Sequence, residues 1–384
     1  MLQLHALLWV DLVTNAYWAL GLGYVVLFLA FAYFWFGKKE AVGMLESLPQ
    51  VSLVIAIRNE QTNLAALFAH LRQLNYPALE VLLVDDQSED ESLALMQQAA
   101  VQAQAVGGHW RVLQSVGSGK KAAISTALAV AKGELIVTTD ADCGFSPEWI
   151  DLLVAPFSDQ NIQLVAGPVM TTSHPNYFFS AFQQVEWTSI LLVTRLSFST
   201  GIPFMCSAAN MAYRKSAFEQ VNGYAGNGQF LSGDDEFLLK KILHTYGKTA
   251  VKYLHQPQLL VTTQPQSNWT SFLAQRARWA SKWRRHDLGH LIITALPALL
   301  LLLFLVSPFL LLLGKPGLQA FLGLWALKIS IEYLVVASVL KRFNVPLSLL
   351  AMATTSFSHP FYALATALNM RNKNWKWKGR SQSS

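Results

Sequence analysis

Long charge-free apolar segments lie at both ends of this chain and limit what it can fold into. Residues 16–37 contain no charged side chain and are rich in Trp and Tyr, and residues 291–314 form a second charge-free run. At a rise of about 1.5 Å per residue, each segment is long enough to cross the roughly 30 Å hydrocarbon core of a bilayer as a helix. The chain is also 53% hydrophobic and only 14% charged, which is too apolar for an ordinary soluble protein. We therefore expect part of it to lie in a membrane.

The first apolar segment is predicted to be a transmembrane anchor. A cleaved signal peptide is the competing interpretation, but the apolar run is too long for one, and no basic residue or small-residue cleavage site flanks it in the usual way. Near the other end, residues 318–340 are a further candidate span in which Lys328 and Glu332 share one helix face, where they neutralise each other or contact a substrate. Residues 347–370 contain many Ser and Thr and a His-Pro pair, so a broken or re-entrant helix competes with a full span.

Basic residues predict which side of the membrane the middle of the chain faces. Clusters at residues 38–39, 276–285 and 341–342 flank apolar segments, and the positive-inside rule assigns all three to the cytoplasm. The basic tail favours a final segment that turns back over one that crosses completely. The predicted domains are an anchor at 1–37, a cytosolic domain at 38–287, a membrane region of two or three spanning or re-entrant segments at 288–370, and the tail at 371–384.

The region between the apolar ends has the pattern of an α/β domain. Apolar runs at residues 51–57, 81–84 and 135–139 alternate with helical patterns. Strands this apolar, separated by helices, are typical of a parallel sheet covered on both faces, and the ligands of such sheets bind beyond the carboxyl ends of the strands. The side chains that follow these strands, and are therefore candidate ligand contacts, are Arg58, Asp86 and Asp140.

Three acidic clusters follow one another along this region. Asp86 ends the second apolar run, where a carboxylate can bind a nucleobase or ribose, although many such loops are only solvated turns. Asp140 and Asp142 form a DxD pattern after the third run, and two carboxylates so spaced can share a hard divalent cation or, alternatively, cap a helix. The third cluster, residues 234–236, opens an amphipathic helix. Capping explains part of this cluster, but three consecutive acids exceed what a cap requires, so one of them is a candidate general base.

Basic side chains provide candidate contacts for a diphosphate. Lys120 follows a Gly-Ser-Gly loop that lacks the glycine spacing of a nucleotide hydrolase. We therefore interpret it as a contact for a nucleotide-diphosphate donor substrate. The basic and aromatic run at residues 275–285 lies directly before an apolar segment. One interpretation is that this run binds anionic lipid at the membrane interface. The alternative is a role in substrate binding, in which Arg278 contacts the diphosphate and Trp279 lines the acceptor pocket.

Net charge and cysteine content indicate neither a nucleic-acid-binding protein nor a disulfide-rich or zinc-binding one. The charge of +6 comes from basic residues concentrated beside the apolar segments, where a cytoplasmic membrane surface explains them, so nucleic acid is not an expected partner. The two cysteines, Cys143 and Cys206, form no pattern of a disulfide framework or of a zinc site.

As an ordered set, these motifs resemble the membrane-bound inverting glycosyltransferases of family 2, which include cellulose, chitin, hyaluronan and poly-N-acetylglucosamine synthases and ceramide glucosyltransferase. The resemblance covers about residues 51–283. It implies a nucleotide-sugar-binding, Rossmann-like α/β domain of the GT-A type, with a mixed, mostly parallel sheet flanked by transmembrane helices. The matching segments are VSLVIAIRNE, VLLVDDQSED, GKKAAISTAL, VTTDAD, CSAANMAYRKSAF, SGDDEFLL and QRARW.

The resemblance also implies roles for individual residues. Asp235 would be the catalytic base, and Asp142 would ligate a divalent metal, Mg²⁺ or Mn²⁺. Asp86 would contact the nucleobase, and Asp140 would lie near the ribose and diphosphate. The full set of implied donor contacts is Arg58, Glu60, Asp86, Lys120 and Asp140. The residues implied at the diphosphate and the acceptor, in the QxxRW motif, are Gln275, Arg278 and Trp279.

The implied reaction is a single in-line displacement with inversion. Asp235 would deprotonate the acceptor hydroxyl, which attacks the anomeric carbon of a nucleotide-diphosphate sugar, expected to be a UDP-sugar. The acceptor would be a lipid or a glycan, in polysaccharide or glycolipid synthesis, and the motifs do not separate transfer of one sugar to a lipid from polymer synthesis. A membrane nucleotide-sugar sensor is a remote alternative, against which the candidate base argues. The expected location is the bacterial inner membrane, with the catalytic domain in the cytoplasm.

Overall fold

The computed structural model describes residues 2–37, 48–174, 176–227, 233–280, 297, 299–369, 376–377 and 380–381. The chain divides into two compact units. The helical unit consists of Met1–Lys38, Ser173–Leu196 and Pro265–Asn372. The α/β unit consists of Lys39–Thr172, Ser197–Gln264 and Lys373–Ser384.

Helices and strands alternate through the middle of the chain, as the apolar pattern predicts. In order they are α1 (Leu2–Phe36), β1 (Val51–Ile57), α2 (Leu64–Leu71), β2 (Leu79–Asp85), α3 (Ser92–Ala105), β3 (His109–Gln114), α4 (Lys120–Leu128), β4 (Leu135–Asp140), α5 (Trp149–Val154), β5 (Leu164–Ala166), β6 (Val169–Thr171), α6 (Tyr177–Ser199), β7 (Met211–Arg214), α7 (Lys215–Gln220), α8 (Asp234–Tyr246), β8 (Val251–Tyr253), β9 (Val261–Thr263), α9 (Trp269–Ala280), α10 (Gly314–Arg342), α11 (Leu349–Asn369), β10 (Lys376–Trp377) and β11 (Arg380–Ser381).

Seven strands of the α/β unit form one mixed sheet in the order β3-β2-β1-β4-β7-β5-β8. The strands β3, β2, β1 and β4 are parallel to one another. The strand β7 runs antiparallel to both of its neighbours, and β5 and β8 are parallel. The side chains of the central strands are almost entirely buried, which explains why they read as continuous apolar runs. The predicted α/β class with a mixed, mostly parallel sheet is confirmed.

Strand register brings the predicted ligand contacts to one edge of this sheet. Ile57 pairs with Asp85 between β1 and β2, and Ala56 pairs with Asp140 between β1 and β4. The residues that follow these positions therefore leave the sheet side by side. Because β3 also runs parallel to β2, the loop from β3 to Lys120 at the start of α4 begins at the same edge.

The helical unit contains the apolar segments. By length and composition, two helices among the described residues could cross a membrane, Leu7–Phe36 and Leu299–Arg342. The first contains most of the predicted anchor. Residues 299–306 are helical, Ser307–Leu313 form a 3₁₀ helix and α10 follows at once, so the two predicted spans 291–314 and 318–340 run into each other where the structure describes them. The helix α11 continues through Pro360 without a break. The number of crossings and the domain boundaries stay predictions, and the basic residues 38–39 and 281–285 lie outside the described residues.

The predicted Lys328–Glu332 pair forms inside the helical unit. The Lys328 ammonium lies 2.6 Å from the Glu332 carboxylate and donates to the backbone oxygen and hydroxyl of Ser356, each at 3.0 Å. The hydroxyls of Tyr24 and Ser356 donate to the same carboxylate. One charged pair thus joins α1, α10 and α11, and every charge in it has a partner, as burial in a low-dielectric environment requires.

Asn210, from the segment CSAANMAYRKSAF, joins three parts of the α/β unit. Its side chain is fully buried, and its amide nitrogen donates to the backbone oxygens of Pro168 at 2.8 Å and Leu259 at 2.7 Å. Its amide oxygen accepts from the indole nitrogen of Trp149 at 2.9 Å. A buried polar group left without a hydrogen-bond partner costs about 1–3 kcal/mol. This one side chain supplies a partner to three such groups, namely two backbone oxygens and one indole nitrogen.

We expect Asn210→Ala to lower the free energy of unfolding of the full chain by about 3 kcal/mol, because three buried polar groups lose their partner together. Thermal unfolding in detergent, followed by tryptophan fluorescence, measures the change as a lower midpoint. Asn161→Ala is the matched control, since Asn161 is exposed and its side chain donates to Asp159 in its own loop. Equal midpoints for the two variants would contradict this assignment.

Candidate functional site

Arg58 stabilises the loop that follows β2. Its guanidinium is buried and donates to the backbone oxygens of Asp86, at 2.9 Å, and Gln87. It also pairs with the exposed carboxylate of Glu89 at 2.9 Å. Glu60, two residues further on, donates its backbone amide to the Ser92 hydroxyl at 2.8 Å. In the structure, Arg58 holds the loop after β2 at the edge of the sheet. Its predicted contact with a donor substrate stays a prediction.

Asp86 is almost completely buried and holds the start of α4 in place. Its carboxylate accepts from the backbone amide of Gly119 at 2.8 Å. Gly119 has a φ of +96°, a conformation that favours glycine, and this turn lets the helix begin directly at Lys120. The loops after β2 and β3 are therefore joined by one charge-assisted hydrogen bond.

Lys120 lies among the carboxylates that the sequence predicts as a site. Its ammonium is 2.6 Å from Asp140, the last residue of β4, and 3.3 Å from Asp234, the first residue of α8. Burial by itself would lower the pKa of Lys120, but the nearby carboxylates of Asp140, Asp234 and Asp235 outweigh it and raise that pKa. Two of the three predicted acidic clusters are thus bridged by one cation.

Asp142 lies close to the carboxylates of Asp140 and Glu60. Its carboxylate accepts from the Thr263 hydroxyl at 2.9 Å, and the turn that carries it is held by paired backbone hydrogen bonds between Gly144 and Thr262. Burial raises the pKa of Asp142, and the carboxylates of Asp140 and Glu60 raise it further. Among the residues that the structure describes, no three or more His, Cys, Asp or Glu side chains are grouped as a metal site.

Asp235 lies in the first turn of α8, after Gly233 at a φ of +89°. Its carboxylate accepts from the backbone amide of Ala208 at 3.2 Å and from that of Glu236 at 2.7 Å. Two backbone amides thus hold this carboxylate at the positive end of a helix. A carboxylate in its ionised form can accept a proton.

The three predicted residues of the QxxRW motif lie on α9, in the helical unit. The ring of Trp279 meets that of Trp187 edge to face, with centroids 5.4 Å apart. The side-chain oxygen of Gln275 accepts a hydrogen bond from Arg276. The predicted roles of Gln275, Arg278 and Trp279 at a diphosphate or an acceptor stay predictions.

Several contacts in the site were not predicted from the sequence. Thr263 carried no signal, because it becomes a partner of Asp142 only through the pairing of β6 with β9 and the bridge from Gly144 to Thr262. Asp234 was recognised only as part of an acidic cluster, and its ion pair with Lys120 joins residues far apart in the chain. A sequence pattern reports neither kind of contact.

Parts of the chain are similar to known glycosyltransferases. The family model described as Glycosyl transferase family 2 matches residues 52–221. An undecaprenyl-phosphate 4-deoxy-4-formamido-L-arabinose transferase of Pseudomonas savastanoi is 33% identical over 176 residues, 44% of this chain and 49% of that protein. A beta-monoglucosyldiacylglycerol synthase of Trichormus variabilis is 24% identical over 245 residues, 63% of this chain and 50% of that protein. The chain thus spans about half the length of these curated relatives.

Among solved structures, the mannosyltransferase PcManGT from Pyrobaculum calidifontis, in complex with GDP-Man and Mn²⁺, superposes with a TM-score of 0.61. The match covers 94% of this chain and 99% of that one, at 18% sequence identity. At this identity the likeness shows a shared fold. Residues 52–221 thus match the glycosyltransferase family 2 model, and the chain shares the fold of this mannosyltransferase.

Proposed function

We propose that this protein is a membrane-bound glycosyltransferase that moves a single sugar from a nucleotide-diphosphate donor to a hydroxyl of a lipid, with inversion at the anomeric carbon. One observation carries the proposal. Lys120 and Asp140 lie within the residues that match the family 2 model. The ammonium of Lys120 joins Asp140 at a strand end to Asp234 at a helix start, and the candidate base Asp235 is the next residue. The proposed donor-binding groups and the candidate base thus belong to one connected cluster.

The donor side of the site follows from the edge of the sheet. Ligands of open parallel sheets bind beyond the carboxyl ends of the strands, where Asp86 and Asp140 lie. We assign the nucleoside to the neighbourhood of Asp86 and the diphosphate to that of Lys120 and Asp140. An ammonium next to a diphosphate offsets the charge of the leaving group. A UDP-sugar is the expected donor.

A divalent cation suits the chemistry of Asp140 and Asp142. Carboxylate oxygens are hard donors, and Mg²⁺ and its relatives commonly use one or two carboxylates together with substrate phosphates instead of a full cage of protein ligands. Burial and the neighbouring carboxylates raise the pKa of Asp142, and a positive charge at this position would offset the repulsion between these carboxylates. Asp140 and Asp142 would hold Mg²⁺ or Mn²⁺, and the cation would supply positive charge against the departing nucleotide diphosphate.

Asp235 is suited to act as the general base. The backbone amides of Ala208 and Glu236 hold its carboxylate in one orientation. In the proposed reaction it accepts the proton of the acceptor hydroxyl, whose oxygen then forms a bond to the anomeric carbon while the bond to the nucleotide diphosphate breaks. A single displacement of this kind turns an α-linked donor into a β-linked product.

A lipid acceptor is supported by two independent observations. The described helices include two that are long and apolar enough to cross a membrane. The relatives named above are, by their names, an undecaprenyl-phosphate transferase and a diacylglycerol glycolipid synthase. We therefore favour transfer to a lipid over polymer synthesis, and place the protein in the bacterial inner membrane with the α/β unit in the cytoplasm.

We expect Asp235→Asn to reduce kcat by about 10²–10⁴-fold, the usual contribution of a general base, since asparagine cannot accept the proton. The assay follows transfer from radiolabelled nucleotide sugars by purified protein with Mn²⁺, in mixed micelles that contain dioleoylglycerol or undecaprenyl phosphate. Asp159→Asn is the control, because Asp159 is an exposed loop residue of the same unit. Undiminished turnover by Asp235→Asn would rule out the assigned base.

The size of the product separates the two enzyme readings. We expect one labelled sugar per lipid, extracted into organic solvent and migrating as a single species on thin-layer chromatography. A ladder, or water-soluble material of high mass, would instead support a polysaccharide synthase. Treatment with α- and β-specific glycosidases reports the stereochemistry, and a product released only by the α-specific enzyme would contradict inversion of an α-linked donor.

We expect Mn²⁺ to raise the thermal unfolding midpoint of the native protein. The increase should be much smaller in Asp142→Asn, because this variant has one carboxylate ligand fewer for the cation. A ligand present at about 100 times its Kd stabilises the native state by about 2.7 kcal/mol, which is large enough to measure. The titration is repeated after treatment with EDTA and with Asp159→Asn as the control. The same Mn²⁺ dependence in Asp142→Asn and native protein would argue against this ligand.

A further inference from the structure

Arg276 lies inside the QxxRW segment but is not one of its motif residues, and it is buried in the helical unit. Its Nε donates to one carboxylate oxygen of Glu186 at 2.8 Å, and its Nη2 donates to the other at 2.6 Å. The hydroxyl of Tyr362 donates to the same carboxylate at 3.0 Å. This two-pronged ion pair therefore joins α9 to α6, and the tyrosine adds α11.

Aromatic rings surround the guanidinium of Arg276. Its central carbon lies 4.3 Å from the ring centre of Trp279, 4.6 Å from that of Phe272 and 5.0 Å from that of Trp187. The faces of aromatic rings attract cations, and arginine stacks on them while still using its nitrogen atoms for hydrogen bonds. Lysine carries the same charge but cannot reproduce both the fork and the stacking.

Two residues of the motif depend directly on this arginine. The Nη1 of Arg276 donates to the side-chain oxygen of Gln275, and its guanidinium packs against Trp279. Gln275 and Trp279 are four residues apart on α9 and so lie on neighbouring turns of one helix face. One side chain, fixed by Glu186, thus contacts both of the neighbouring motif residues.

We propose that Arg276 and Glu186 are positioning residues, which set the orientation of Gln275 and Trp279 for the acceptor and the diphosphate. This inference rests on the proposed function, and it takes the roles of those two residues from the resemblance described in the sequence analysis. The geometry itself rests on contacts within the helical unit. A side chain held in one orientation loses little freedom when substrate binds, so misplacing it weakens substrate binding more than it weakens the fold.

A purely structural ion pair makes a different prediction, and exchanging the charges separates the two. In the double variant Glu186→Arg with Arg276→Glu, the pair between α6 and α9 can form again, but the guanidinium is now attached to α6. Its contacts with Gln275 and Trp279 are then lost. A structural role is restored by this exchange, whereas a positioning role is not.

The experiment compares native protein with Arg276→Lys, Glu186→Gln and the exchanged double variant. We expect the exchanged variant to recover most of the thermal midpoint lost in Glu186→Gln, while the KM for the acceptor stays at least about tenfold above the native value, a change that one displaced contact commonly produces. The acceptor is dioleoylglycerol or undecaprenyl phosphate, varied as a mole fraction of mixed micelles. Arg72→Lys is the control, since Arg72 is exposed and bonds to Gln102 in the α/β unit.

Native KM values in the exchanged variant, or in both single variants, would overturn the inference and leave the proposed function standing. Native protein that transfers no sugar would contradict the proposed function instead. A second measurement does not depend on activity. In protein labelled with 5-fluorotryptophan, the ¹⁹F resonance of residue 279, assigned with Trp279→Phe, is expected to shift in Arg276→Lys and in the exchanged variant. An unchanged resonance in both would also overturn the inference.

Discussion

The candidate site depends on how negative charge is compensated at one edge of the sheet. Asp140 and Asp234 both lie close to the ammonium of Lys120. Burial and the carboxylate of Asp140 raise the pKa of Asp142. Like charges gathered in this way destabilise a fold unless a cation offsets them. Lys120 supplies part of that positive charge from the first turn of α4, and the turn at Gly119 that starts this helix is held by Asp86. The electrostatics of the site and the local fold therefore depend on each other.

Much of the fold could be predicted because burial on both faces leaves a strong signal in the sequence. The strands β1, β2 and β4 are buried and mostly apolar, and each ends where a polar side chain was predicted to leave the sheet. The boundaries were less accurate, since β2 begins at Leu79 instead of residue 81 and α8 already includes Asp234. Element ends differ by one or two residues even between assignments made from one structure, and a sequence pattern locates them less well than it locates the element itself.

Some polar contacts could likewise be predicted from the sequence, and others could not. The Lys328–Glu332 pair was predicted because helix periodicity places the two residues on one face, but Tyr24 and Ser356, which complete that network, come from other helices. Arg276 was predicted only as one charge in a run beside the membrane. Its burial against Glu186 follows from the packing of α6 on α9, which no spacing rule reveals.

The two units use charge in opposite ways, and the difference bears on where chemistry can occur. In the helical unit, Lys328 and Arg276 are each buried, and each makes several close contacts to its carboxylate partner and to neighbouring groups. Such networks are costly to rearrange, because breaking one leaves a charge in a low-dielectric environment. Asp140 is different: its side chain is 40% exposed although it pairs with Lys120. A carboxylate that keeps contact with solvent can exchange a protein cation for one brought by a substrate at modest cost, since water screens the intermediate arrangement. The edge of the sheet is thus where the proposed reaction can redistribute charge, whereas the ion pairs of Lys328 and Arg276 in the helical unit are costly to break.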